Sequence, residues 1–107
     1  MTFDEYQKFA VSLARDKGHE LAHRSAGLAS EAGEVNGKIA KWIRDQKADP
    51  TKLDKAELAK ELGDVLWYTA ALAQHLGYAL EEIAKQNVAK LSDRQKRGVL
   101  SGAGDNR

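Results

Sequence analysis

Val65–Leu76, VLWYTAALAQHL, carries no Asp, Glu, Lys or Arg, and its apolar side chains fall on nearly every side of a helical wheel. A helix that is apolar all round is buried all round. One chain of 107 residues has few elements with which to cover it, so a subunit interface is expected there. Gly77 follows at once and reads as a C-terminal stop. Upstream, Asp54 and Glu57 form a capping box, which sets a helix over about Lys55–Leu76.

Three more helices follow on either side. Leu80–Arg97 has an apolar side made by Leu80, Ile83, Ala84 and Leu91. Before Pro50, Glu20–Asp45 carries the stripe Leu21, Leu28, Val35, Ile39 and Trp42, interrupted by Gly27, Gly33 and Gly37. Each of those glycines weakens a helix by about 1 kcal/mol relative to alanine. They therefore call for close packing or room for a ligand. The first helix, about Phe3–Arg15, starts at a Thr2/Glu5 capping box, and Phe3, Tyr6, Phe9, Ala10 and Leu13 give it an apolar face. Seventeen alanines against one proline agree with an all-α chain. The expected architecture is a four-helix bundle, assembled as a homo-oligomer. Residues 1–97 form one domain, and 98–107 form a glycine-rich tail that is ordered only if something holds it.

Composition narrows the function. A net charge of +1 lacks the basic excess of a nucleic-acid binder. The absence of cysteine removes disulfides, thiol nucleophiles and Fe–S clusters. No apolar run is long enough to span a membrane. Met1–Glu5 has neither the basic start nor the apolar stretch of a signal peptide, so a cytoplasmic location is expected.

The informative acids lie beside apolar stripes. With Leu28 at zero on the second helix, Glu31 falls near about −60°, Lys38 near −80° and Glu34 near −120°. With Leu62 at zero on the third, Glu61 falls near about −100°, Tyr68 near −120° and Asp64 near −160°. Antiparallel packing would bring the two flanks together, with four carboxylates facing one another. Like charges so close need compensation, and oxygen ligands without cysteine suit Mg²⁺, with Mn²⁺ as a substitute. A single Glu-x-x-Glu usually faces water. Two such pairs, each bordering a stripe, are the rarer pattern.

On the fourth helix Asn87, Lys90 and Arg94 form a polar line, suited to a chain of phosphates but also to a solvated row around a core. Aromatics at helical spacing are more often core than ligand platforms. Trp42 and Tyr68 are the candidates for a base pocket, whereas Trp67, set opposite the acidic flank of its helix, is assigned to packing or an interface. His19, His23 and His75 make no metal set: Glu20-x-x-His23 occurs once, and a di-iron bundle needs the motif twice.

Ser30-Glu31-Ala32-Gly33-Glu34-Val35, Glu61-Leu62-Gly63-Asp64-Val65-Leu66-Trp67-Tyr68 and Asn87-Val88-Ala89-Lys90-Leu91-Ser92-Asp93-Arg94 together resemble the MazG-like nucleoside triphosphate pyrophosphohydrolases. The resemblance covers roughly Leu21–Arg97. The tail is similar to that of short, single-domain members, phage ones included. Ser30 stands where many members have a further glutamate. The resemblance implies cleavage of an NTP or dNTP between the α- and β-phosphates, giving a monophosphate and pyrophosphate. It implies Mg²⁺ on Glu31, Glu34, Glu61 and Asp64, with Lys38, Asn87, Lys90 and Arg94 on the triphosphate. One carboxylate, for which Glu34 is favoured, would act as base. The competing reading is a non-catalytic helical module that binds nucleotides or a protein partner.

Overall fold

The computed structural model describes residues 1–107. Four α-helices follow in order: α1 (Phe3–Ser12), α2 (Glu20–Gln46), α3 (Lys55–His75) and α4 (Leu80–Arg97), with a 3₁₀ turn at Pro50–Lys52 before α3. There is no strand, and no helix is long and apolar enough to cross a membrane. Both capping boxes supply their N-caps: Thr2 Oγ1 accepts from the Glu5 amide at 3.1 Å, and Asp54 Oδ1 from the Glu57 amide at 3.0 Å. These bonds satisfy amides that have no partner within the helix. Gly77 takes φ +85° just past α3, a conformation open to glycine without strain. The first helix ends three residues before the expected Arg15. Leu13 and Ala14 donate three residues back, to Ala10 and Val11, and this tightened turn releases the chain toward Asp16.

α2 and α3 lie antiparallel along most of their lengths. Arg24 meets Gln74, and Lys38 meets Glu61 and Glu57. α1 packs on α3, and α4 lies against both. Alanines make the tightest contacts: Ala10, Ala70, Ala71 and Ala73 are buried.

The face that α1 buries is turned from the expected one. Ala10 is buried and Tyr6 half-buried, as expected, but Gln7 is buried beside them, while Phe9 is 61% exposed and Phe3 and Leu13 are also exposed. Gln7 explains the rotation. Its Nε2 donates to the carbonyls of Ala70 and Tyr78, and its Oε1 accepts from the Leu80 amide, each at 3.0 Å. One side chain thus ties α1 to α3 and satisfies the first amide of α4. Arg24 does the same at the other seam. It donates to both oxygens of Asp16 at 2.9 and 3.2 Å, to Ala71 O at 2.7 Å and to Gln74 Oε1 at 2.9 Å. Buried polar groups are tolerated only when satisfied, and here every one has a partner.

The single chain leaves its large apolar side chains half covered. Leu62 and Leu66 of α3, and Leu76 just past its end, are exposed, so a single copy does not bury that helix all round. The accessible surface is 7809 Å², against roughly 5,900 Å² for a folded monomer of this mass. The radius of gyration is 16.7 Å, against about 13 Å for a compact chain of similar length.

Candidate metal centre

The α2–α3 seam is built around a missing side chain. A β-carbon at Gly27 would meet the Tyr68 ring at 2.5 Å or less, so Tyr68 lies directly on the α2 backbone. One turn further along, Glu31 of α2 faces Glu61 and Asp64 of α3. Each offers a carboxylate oxygen, and the three oxygens lie within 4.8 Å of one another. Beside them Glu31, Asp64, Trp67 and Tyr68 line a cleft of about 320 Å³.

Trp67 is a correction to the sequence reading, which set it opposite the acids. Three residues on from Asp64 a helix has turned through about 300°, so Trp67 stands only about 60° away and walls the cleft. It also packs edge-on against Tyr68, with ring centroids 5.0 Å apart. His23 meets Tyr68 edge-on at 5.7 Å and pairs with Asp16 at 3.0 Å.

The electrostatics match crowded acids. Burial pushes the Glu31 carboxyl above its ordinary value, and the charges of Asp64, Glu61 and Glu34 push it further. Glu34 is exposed and stands outside the group of three. Lys38 Nζ lies 3.5 Å from Glu61 Oε1 and 3.9 Å from Glu57 Oε1, a partial compensation at one edge. From α1, Tyr6 comes within electrostatic reach: burial first, and Asp64 second, raise its phenol above the ordinary value. Its place on an apolar face gave no hint of this role.

The remaining expected residues lie apart from the three acids. Trp42 lines a separate cleft of about 460 Å³ with Lys38, Lys41, Lys52 and Glu57, and its Nε1 donates to Asp49 O at 2.8 Å. Asn87 is exposed. Lys90 and Arg94 are engaged by the tail through Asp105, and no hydrogen bond or ion pair joins α4 to the acids within one chain.

Three carboxylates with oxygens this close, and no thiol or imidazole among them, form a donor set that fits a hard divalent cation. A family model described as the MazG nucleotide pyrophosphohydrolase domain matches residues 20–99. The chain belongs to the MazG nucleotide pyrophosphohydrolase family. It is also 42% identical over 87 residues to the "Gene 37 protein" of Mycobacterium phage L5, covering 81% of this chain and 76% of that one. No solved structure matches. The MazG domain starts where α2 starts and ends two residues past α4. It contains the three acids and the cations of α4, whereas α1 and residues 100–107 lie outside it.

Proposed function

We propose that this protein is a Mg²⁺-dependent pyrophosphohydrolase, with Mn²⁺ as a working substitute, that cleaves an NTP or dNTP to a monophosphate and pyrophosphate. The observation that carries the reading is the meeting of Glu31, Glu61 and Asp64 across the α2–α3 seam. These three hold the metal, with Glu34 one helical turn from Glu31 as the fourth acid. The bound cation supplies charge neutralisation for the phosphates and a water of lowered pKa. Glu34, outside the close group, is the carboxylate free to take the proton of the attacking water. Lys38 leaves Glu61 for a phosphate oxygen. Asn87, Lys90 and Arg94 donate to the rest of the chain of phosphates. Tyr68, which walls the acidic cleft, offers a face to the base, whereas Trp42 lies about 22 Å along α2 from Gly27, too far to face the same one.

A homodimer or dimer of dimers completes the site in this proposal. The chain exposes roughly 1,900 Å² more surface than a monomer of its mass should, and two chains burying that excess would form an interface of about 3,800 Å², in the range of an obligate homodimer. The α4 cations do not reach the acids of their own chain, so a partner's α4 would supply them. Light scattering coupled to size exclusion should give a mass of two or four chains, and a stable monomer would contradict the assembly.

The deciding experiment is a panel of NTPs and dNTPs with Mg²⁺ and chromatographic identification of products. Monophosphate with pyrophosphate is expected, and Asp64→Asn or Glu34→Gln should abolish both. Diphosphate with free phosphate would overturn the assignment, and so would calorimetric binding without turnover.

A further inference from the structure

The tail Gly98–Arg107 closes on itself and then on α4. Arg107 donates to three tail carbonyls: Val99 at 3.2 Å, Leu100 at 2.8 Å and Gly104 at 2.5 Å. Arg97 in turn donates to Arg107 O at 2.6 Å. Gly98, Gly102 and Gly104, all at positive φ, allow the loop to turn this tightly. The folded loop presents Asp105 to two cations. Lys90 Nζ lies 3.1 Å from Asp105 Oδ1, and Arg94 Nη2 donates to the same oxygen at 3.1 Å and to Asp105 O at 2.5 Å. Lys90 and Arg94 are one turn apart on α4 and are the cations assigned above to the triphosphate. A carboxylate therefore sits where a phosphate oxygen is wanted.

We propose that Asp105 is an internal occupant of the phosphate-binding cations, and that the tail must leave α4 before a polyphosphate can engage Lys90 and Arg94. This rests on the assignment of those two cations to substrate.

Three features suit an occupant that can be displaced. Arg94 is a mostly enclosed cation, its side chain 6% exposed, while Asp105 is 80% exposed. The carboxylate is held in its ionised form by Lys90 and Arg94, which keep it below the ordinary range. The clasp is made of polar contacts at the surface rather than buried apolar residues: Leu100 is exposed and Val99 only half-buried. Exposed ion pairs of this kind are individually weak, so a ligand with several phosphate charges can outcompete one carboxylate. A protein whose binding-competent state is a minor one binds every such ligand more weakly by the fraction competent. The tail is thus an affinity control, and Asp105 and Arg107 lie outside the matched MazG domain.

The test uses inorganic tripolyphosphate as the probe, in Mg²⁺ buffer, with calorimetry on the full chain, Asp105→Asn and Arg107→Ala. Arg107→Ala unclasps the loop without altering any charge at Lys90 or Arg94, and so separates release of the tail from loss of the carboxylate. Both variants should bind about tenfold more tightly than the parent. In parallel, the amide resonances of Gly102 and Gly104 in the parent should move, on saturation, to their positions in free Arg107→Ala. Unchanged or weaker binding by both variants overturns the proposal, as do tail resonances that stay in place at saturation, or no binding by any of the three proteins. The readout needs no turnover. A protein that hydrolyses nothing yet shows tail displacement refutes the enzymatic reading and leaves this one standing.

Discussion

Alanine should destabilise this protein at Gly27 and stabilise it at Gly33, although both lie inside α2. Intrinsic propensity favours alanine at each by about 1 kcal/mol. At Gly33 nothing lies within 4 Å of an added β-carbon, so that gain should appear nearly whole. At Gly27 the added carbon would lie at 2.5 Å or less from ring carbons Cδ1, Cε1 and Cζ of Tyr68, against an ordinary contact of 3.4 Å or more. The ring would have to retreat by about an ångström, and it cannot swing freely, because His23 and Trp67 pack edge-on against it. Overpacking costs about 1–3 kcal/mol, and contacts this short put Gly27 in the upper part of that range, about 2–3 kcal/mol, which outweighs the propensity gain. The expected net loss is about 1–2 kcal/mol, a fall in Tm of roughly 5–10 °C for a domain of this size. Gly33→Ala should rise by about 3–5 °C. Thermal melts of both variants, with Gly27→Ala/Tyr68→Leu as rescue, check the claim. A Gly27→Ala protein that melts at or above the parent, or a double variant with no recovery, would refute the close approach of α2 and α3. Because Tyr68 also walls the acidic cleft, Gly27→Ala should reduce metal affinity, whereas Gly33→Ala should not.

Further predictions concern the charges. Arg24→Ala should cost about 3–5 kcal/mol, because it leaves the buried Asp16 carboxylate with only the half-exposed His23 as partner and strips Ala71 O of its donor; urea denaturation measures it, and a loss under 1 kcal/mol would contradict the network. Arg24 and His23 hold the Asp16 carboxyl well below the ordinary range, so the unfolded chain takes up the proton first. The pair therefore stabilises the fold above pH about 4, and its contribution should fade below that. Asp16→Asn should remove that part of the acid dependence. Glu31 has the opposite sign: its raised carboxyl means that the folded state holds the proton more tightly, so the metal-free protein loses stability as pH rises through and above the carboxylate range. At pH 7, Glu31→Gln should raise Tm in chelator and abolish the rise that Mg²⁺ brings to the parent; a Mg²⁺ response that survives the substitution would remove Glu31 from the site. Glu34→Gln should lower turnover by about 10²–10⁴-fold with metal affinity nearly unchanged, whereas Asp64→Asn should weaken both. Calorimetric Mg²⁺ titration separates the two roles.

How much could be read from the residues differs by element. α4 was bounded as found at Leu80–Arg97, and the α1 and α3 starts were marked by capping boxes, because caps are local chemistry. The acidic flanks were also legible, since helical geometry fixes which side chains share a face. The buried polar residues were not. Gln7 and Arg24 look like surface residues in any window of sequence, and their distant partners, on α3, the turn after it and the start of α4, lie 63 to 73 and 47 to 50 residues away. No periodicity encodes such pairings. The same blindness hid the turn of α1 toward Gln7, whereas the side of α3 that Trp67 takes follows from helical rotation alone.

The residue order by itself determined that this chain is helical, where its helices begin, and that two acid pairs border apolar stripes. Those features depend on propensity, caps and the 3.6-residue turn, all set within a few neighbours. It also carried the motifs that mark the MazG family. Only the tertiary structure decided that Glu31, Glu61 and Asp64 converge while Glu34 stands aside, because the register of α2 on α3 is set by Arg24 on Ala71 and Gln74 and by Tyr68 seated on Gly27. Only there, too, does the tail acquire a place. Asp105 lies on Lys90 and Arg94 because Arg107 gathers three carbonyls into a loop, a contact that composition and periodicity do not contain.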